Sequence, residues 1–86
     1  SQLLELTVRE PVKVKIARDD GAWVTEELKV DSYQLRFKKQ VQLLVYDAAA
    51  LDVSFNGKAL GPLGSKGRVR KLSFKSAGVP QDTRKM

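Results

Sequence analysis

The sequence predicts an all-β domain of about seven short antiparallel strands, closed either as a sandwich or as a small barrel. Apolar and polar residues alternate with a period of two along most of the chain, and turn residues recur at intervals of about eight to twelve residues. A chain of 86 residues is long enough for one hydrophobic core. Alternation alone leaves both closures open, because each places every second side chain inside.

The first half of the chain shows four stretches with this alternation. Pro11 separates the first two, and it favours a strand start or an edge because proline has no N–H to donate. The run Asp19-Asp20-Gly21 predicts a chain reversal, since aspartate bonds to nearby backbone and glycine accepts positive φ. Leu44 and Tyr46, opposite the apolar face of a later strand, indicate a strand covered on both sides. The first four strands are predicted at residues 4–8, 12–16, 23–28 and 33–37.

The second half of the chain contains the strongest turn signal. Asn56-Gly57 predicts a type I′ hairpin turn, because both residues tolerate positive φ. Val69 falls out of phase with Leu72 and Phe74, so either a β-bulge lies near Arg70-Lys71 or Val69 points outward, and we favour the bulge. The remaining strands are predicted at 41–45, 51–55, 58–60 and 68–74, with a short link at 47–50 and a glycine-rich loop at 61–67.

The chain is expected to be one β domain over residues 1–74 followed by a disordered tail over 75–86, where little apolar surface remains to bury. No stretch approaches the roughly 20 apolar residues of a spanning helix. The chain opens on Ser1 and not on Met, so we expect a segment of a longer protein that could carry a membrane anchor upstream.

The composition argues against an enzyme. The sequence contains no cysteine, which rules out disulfides and thiolate metal sites, and no histidine, which removes the usual general base and the usual zinc and copper ligand. The acidic pairs Asp19-Asp20 and Glu26-Glu27 are adjacent in sequence, so in a strand their side chains point to opposite faces. We therefore expect no catalytic residue, no cofactor, no metal site and no small-molecule substrate.

The net charge of +6 is concentrated late in the chain. Residues 1–31 hold five basic and seven acidic side chains, whereas residues 32–86 hold eleven basic and three acidic ones. On a strand, Arg68 and Arg70 would share one face about 7 Å apart and could meet anionic groups. Lysines and arginines that merely protect an exposed edge would give the same pattern. The candidate partner-binding residues are Lys66, Arg68, Arg70, Lys71 and Trp23.

The aromatic residues leave a second function open. Phe37, Phe55 and Phe74 are in phase with aliphatic neighbours and are expected in the core, which leaves Trp23 and the two tyrosines as surface candidates. A basic barrel with surface aromatics stacks single-stranded bases. A small nucleic-acid-binding barrel is the alternative, although so few aromatics give it little support. The 61–67 loop lacks the Gly-Lys-Ser/Thr ending and the following helix of a phosphate-binding loop.

The order of motifs between Leu51 and Phe74 resembles a known family. A strand, the Asn56-Gly57 hairpin, the Gly64-x-x-Gly67 loop and a final basic strand follow one another as in the C-terminal extracytoplasmic domains of RodZ-like bacterial cell-shape proteins. The earlier runs at 17–21 and 45–50 resemble the strand-ending turn and the small-residue link of the same family. The resemblance extends from about residue 4 to residue 74.

This resemblance implies an immunoglobulin-like β-sandwich on the periplasmic side of the bacterial inner membrane. It implies a tether by one spanning helix to a cytoplasmic domain that contacts the actin-like cytoskeleton. The implied role is non-enzymatic coupling of that cytoskeleton to the wall synthesis that sets rod shape. The expected partners are then proteins of the wall-elongation machinery or the wall itself, and the family supplies no catalytic residues.

Overall fold

The computed structural model describes residues 2–75, so the predicted tail lies outside the described residues apart from Lys75. The chain forms eight strands and no helix over this range, and therefore no helix that could cross a membrane. The strands are β1 (Gln2–Val8), β2 (Val12–Arg18), β3 (Val24–Leu28), β4 (Ser32–Phe37), β5 (Gln40–Val45), β6 (Leu51–Phe55), β7 (Lys58–Ala59) and β8 (Arg70–Lys75).

The strands form two four-stranded antiparallel sheets, ordered β4-β1-β6-β7 and β3-β2-β5-β8. The predicted all-β sandwich is confirmed. The small-barrel alternative is wrong, because the outer strand at each end of both sheets has a hydrogen-bonded neighbour on one side only. A barrel would need those strands to pair with each other.

Part of the immunoglobulin arrangement is visible in the strand order. The order β3-β2-β5-β8 corresponds to the C′-C-F-G sheet of immunoglobulin domains, and the pairing of β1 with β4 corresponds to their B–E pair. The β6-β7 hairpin departs from that scheme, because it joins β1 from the other side. In chain order, the β6-β7 hairpin lies between β5 and β8, which are neighbours in the second sheet. The hairpin itself belongs to the first sheet.

The core lies between the four central strands β1, β2, β5 and β6. Every second side chain of these strands points inward, as the sequence alternation predicted, and the inward positions are almost entirely buried. Three phenylalanines pack against one another, with ring centroids 6.0 Å apart for the stacked pair Phe37 and Phe55 and 5.2 Å apart for the tilted pair Phe55 and Phe74. The largest of the fully buried side chains are Leu4, Leu6, Val14, Val41, Leu43, Val45, Leu51 and Val53.

Two predicted turns form as the sequence indicated. Asn56 and Gly57 have φ angles of 50° and 85°, as a type I′ hairpin turn requires, and they connect β6 to β7. Asn56 also accepts a hydrogen bond at Oδ1 from the N–H of Leu3, at 2.9 Å. Asp19, with φ 53°, starts the turn after β2, and its Oδ1 accepts the N–H of Lys39 at 2.6 Å. The Asp19 carboxylate therefore links two neighbouring turns.

The last strand is shorter and more regular than predicted. β8 begins at Arg70 and pairs with β5 residue by residue to Lys75, so the predicted bulge is wrong. Val69 lies before the strand and is 58% exposed, which explains why it was out of phase. The inward positions of β8 are Arg70, Leu72 and Phe74, because their partners on β5 face the core.

Substitution of Leu43 by Ala should destabilise the domain strongly. Its side chain is fully buried on β5, and removal of such a side chain costs about 3 kcal/mol in transfer and cavity terms. Leu60→Ala is the matched control, because Leu60 is 43% exposed and its loss should change the free energy of unfolding by about 0.5 kcal/mol or less. Urea unfolding followed by Trp23 fluorescence measures both. Equal effects would contradict the described core.

Candidate interaction surface

The outer face of the β3-β2-β5-β8 sheet carries a group of lysines. Cα partners across β2, β5 and β8 place Lys15 beside Leu44 and Leu44 beside Lys71, with all three side chains on the side away from the core. The same side of the sheet includes Lys13 on β2 and Lys75 on β8. We call Lys13, Lys15, Lys71 and Lys75 the lysine face.

Aromatic side chains lie among these lysines. The Lys71 ammonium is 5.9 Å from the ring centroid of Trp23, and that of Lys13 is 4.8 Å from the ring centroid of Tyr46. Both distances fall in the range of cation–π contacts. Trp23 is 45% exposed and, with Lys15, Leu44 and Lys71, lines a shallow depression of about 280 Å³. This surface can receive a partner that presents both acidic and apolar groups.

The charge of the lysine face is poorly balanced by acids on the same side of the sheet. Glu27, the Cα partner of Lys13 on edge strand β3, is the one acid that the described strands place there. The outer face of the other sheet differs, since Glu5 on β1 and Asp52 on β6 lie on the same side as Arg36 on β4, and Arg9 forms an ion pair with Asp52. Unbalanced positive charge is therefore concentrated on the outer face of one sheet, which suits an anionic partner.

Two of the five predicted binding residues come together on this face, namely Trp23 and Lys71. The other three do not. Arg68 lies in the loop before β8, so the prediction that it shares a strand face with Arg70 is wrong. Its backbone closes the loop instead: its N–H donates to the carbonyl of Ser65 at 3.1 Å, and its carbonyl accepts the N–H of Ala48 at 2.8 Å.

Arg70 and Lys66 are engaged in contacts within the domain. The Arg70 guanidinium points inward and donates a hydrogen bond to the carbonyl of Leu63 in the loop between β7 and β8. The Lys66 ammonium lies 2.9 Å from a carboxylate oxygen of Glu10 and 3.6 Å from one of Asp47. These contacts raise the pKa of Lys66, with the hydrogen bond to Glu10 as the largest cause. Both residues hold the end of the sandwich together.

Asp47 is the centre of that end of the sandwich. Its Oδ1 accepts the N–H of Gly67 at 2.9 Å and the N–H of Ala49 at 3.1 Å, which joins the β5-β6 link to the glycine-rich loop. The hydrogen bond from Gly67 is the largest of the causes that lower the pKa of Asp47 below its ordinary value of 3.8. The glycine-rich loop is thus a structural connection.

The lysines on β2 were visible in the sequence, yet their role as part of a surface was not. Their alternation with Val12, Val14 and Ile16 places them on the outer face, a pattern that equally fits residues that only maintain solubility. The missing information was strand order, which sets β2 next to β5 and β5 next to β8. The apolar pair Leu44 and Tyr46 was the one available signal, since apolar side chains on an outer face indicate a covered or binding surface.

The acidic side chains of the described strands and turns do not gather into a site. Glu26 and Glu27 follow one another on β3 and point to opposite sides of the sheet, and Asp20 forms a 3.6 Å ion pair with Lys39. Within residues 2–75, no group of three or more acidic side chains is arranged to hold a metal ion.

Acid should weaken the domain partly through Asp47. Because its pKa is lower in the folded than in the unfolded chain, its ionised form stabilises the fold above about pH 4, and this contribution is lost as the pH falls through the lowered pKa. We expect Asp47→Asn to lower the unfolding temperature at pH 7 and to reduce its further fall on acidification. Asp20→Asn is the control, since Asp20 is highly exposed and accepts no backbone N–H in the described chain. Identical pH profiles for Asp47→Asn and wild type would contradict this contact.

The comparisons with known proteins identify a family by its sequence profile. The profile described as the RodZ C-terminal domain matches residues 5–73, which is most of the chain and nearly all of the described strands. Comparison with curated proteins and with solved structures gave no significant match. The match begins in β1 and ends within β8, so it covers both sheets of the sandwich. The chain belongs to the RodZ C-terminal domain family.

Proposed function

We propose that this domain is a non-enzymatic interaction module on the extracytoplasmic side of the inner membrane, part of a single-pass RodZ-like protein. In that position it couples the bacterial actin-like cytoskeleton to the wall synthesis that maintains rod shape. Its partners are proteins of the wall-elongation machinery or the wall itself. The observation that carries the proposal is the family match over residues 5–73.

The chemistry of the chain supports an interaction role over a catalytic one. The sequence has no histidine or cysteine, and the geometry of residues 2–75 directs the adjacent acids Glu26 and Glu27 to opposite sides of β3. Catalysis by a pair of carboxylates requires both to face one reacting group. A rigid sandwich with a directional positive face instead suits recognition of a partner.

The lysine face is the surface that we assign to an anionic partner. Its lysines lie on β2 and β8, two strand spacings or about 10 Å apart across β5, on a regular sheet that fixes their separation. Acidic side chains of a partner protein, or carboxylates and phosphates of the wall, can meet several ammonium groups at once. Trp23 adds an exposed apolar ring beside Lys71. Aromatic rings of this kind are enriched at interfaces.

Deletion of residues 1–74 from the full-length protein tests the proposed function in a rod-shaped bacterium that depends on that protein. We expect rounded or widened cells and a loss of the normal placement of new wall, measured by microscopy with a fluorescent wall precursor. Unchanged shape and unchanged placement of wall synthesis would refute the coupling role.

The double substitution Lys15→Glu and Lys71→Glu then tests the assigned surface. It reverses the charge at the centre of the lysine face and should reproduce much of the deletion phenotype. The matched control is Arg36→Glu with Lys58→Glu, which changes the net charge equally but on the other sheet. Circular dichroism establishes that both variants fold. Equal phenotypes from the two pairs would show that net charge, and not this face, is what matters.

A further inference from the structure

A cleft runs along one side of the sandwich, where edge strands β3 and β4 belong to different sheets and no strand of residues 2–75 joins them. Its volume is about 530 Å³, within the range of about 300 to 1,000 Å³ that is typical of ligand sites. Near the turn that joins the two strands, the Tyr33 hydroxyl accepts the N–H of Lys29 at 2.9 Å and donates to its carbonyl at 3.1 Å. The apolar lining consists of Leu6, Ile16, Val24, Leu28, Tyr33 and Leu35.

The opposite side of the sandwich is closed by the chain itself. There the loop between β7 and β8 inserts Leu63, which is 5% exposed, into the core. Arg70 fixes this loop by its hydrogen bond to the Leu63 carbonyl. Gly64 allows the close fit, because a Cβ at that position would lie 3.1 Å from the Cβ of Ala48. Nothing comparable fills the cleft between β3 and β4 within residues 2–75.

The inner side of β3 is therefore left uncovered along most of its length. Val24, Glu26 and Leu28 each pair with a β2 residue whose side chain faces the core, so all three point toward the inside of the sandwich. Leu28 is buried, but Val24 is 52% exposed and Glu26 is also exposed. An inward face that remains open to solvent presents an apolar, acidic, apolar series to any segment beside β3.

The Glu26 carboxylate is available to a partner. In the described chain, the salt bridges involve other acids, and no lysine or arginine nitrogen lies within 4.0 Å of Glu26. Arg18, the one basic residue that lines the cleft, donates instead to the carbonyl of Arg36 at 3.3 Å. The cleft therefore combines an apolar floor with the Glu26 carboxylate, which has no ion-pair partner in the described chain, and with the guanidinium of Arg18 on β2.

We propose that this cleft binds an extended segment of a partner protein, which adds to β3 as a fifth strand of its sheet. Among the described strands β3 has a neighbour on one side only, so its other side offers main-chain groups to an added strand. Every second side chain of that segment would enter the cleft. Opposite Val24, Glu26 and Leu28, complementarity selects the pattern apolar–x–Lys/Arg–x–apolar. This assignment deepens the proposed interaction function and rests on it.

Other occupants fit the cleft less well. In a two-fold pairing of β3 with β3 of a second copy centred on Glu26, two carboxylates would lie directly opposite each other, which is destabilising. A fatty acid or another anionic lipid could place its headgroup at Arg18, but it would leave Glu26 and the main-chain groups of β3 unpaired. An extended basic peptide meets the charge, the apolar floor and the open strand edge together.

Titration of the 15N-labelled full chain with synthetic peptides tests the proposal. The probe is a capped nine-residue peptide of Thr and Val with a central Val-Thr-Lys-Thr-Val, and its partner replaces the lysine by glutamate. We expect saturable shifts of β3 and β4 amides with the lysine peptide and at least about fivefold weaker binding of the glutamate peptide. Glu26→Lys should reverse this preference.

Glu27→Lys is the matched control, because Glu27 is the adjacent acid but points to the outer face. It should leave the preference for the lysine peptide intact. The proposal is overturned if neither peptide binds, if both bind equally, if Glu27→Lys acts like Glu26→Lys, or if the shifts map away from β3. Sedimentation of the peptide-free chain tests the second copy, since dimerisation through β3 would also overturn the assignment.

The two proposals fail independently. Loss of rod shape on deletion of the domain, together with absence of peptide binding, would refute the cleft assignment and keep the interaction role. Peptide binding with the expected charge preference, together with normal shape after deletion, would refute the coupling role and keep the cleft as a peptide site.

Discussion

A sandwich of two small sheets can exclude water from its core only if its open sides are covered as well as its faces. The central strands β1, β2, β5 and β6 meet the first requirement, because their inward leucines and valines are nearly all inaccessible to solvent. The sides pose a separate problem, since edge strands of different sheets do not bond to each other. Over residues 2–75, the chain covers one side with its own loop and leaves the other open.

The closed side explains the positions of several residues that looked functional. Leu63 fills the gap between β7 and β8, Arg70 holds the Leu63 carbonyl, and Lys66 bridges Glu10 and Asp47 nearby. Of the basic residues in this region, Lys66 and Arg70 make contacts within the domain, whereas Lys71 lies on the lysine face. What remains for recognition is spread over two separate regions, the lysine face and the cleft beside β3. The two differ in chemistry, one being cationic and flat and the other apolar with a single acid.

Much of the fold could be predicted because strand faces and turns are local properties of the sequence. Val12, Val14 and Ile16 show which side of β2 is inward, and Asn56-Gly57 determines a hairpin turn without help from the rest of the chain. The closure as a sandwich was less accessible, because strand order depends on contacts between distant segments. The start of β8 could not be predicted from the residues around Val69 for the same reason, because pairing with β5 sets it at Arg70.

The candidate sites were harder to predict for the same reason. Lys66 and Glu10 are 56 positions apart in sequence, so the ion pair that engages Lys66 has no local signature. The density of basic residues around Arg68 made Lys71 a candidate, and Trp23 was separately a surface candidate. Their position around one depression with Lys15 and Leu44 depends on sheet order. The cleft was invisible in the sequence, because Glu26 and Leu35 become neighbours of one cavity only when β3 and β4 end up in different sheets.

The central claim, that one side of the sandwich is closed and the other open, can be measured on methyl groups. In a methyl-labelled sample, a soluble neutral paramagnetic agent broadens the NMR signals of side chains that it can approach. We predict strong broadening for Val24, which is 52% exposed, and protection for Leu63, which is 5% exposed, to the level of the core residue Leu4. Equal broadening of Val24 and Leu63, or protection of both, would contradict the account.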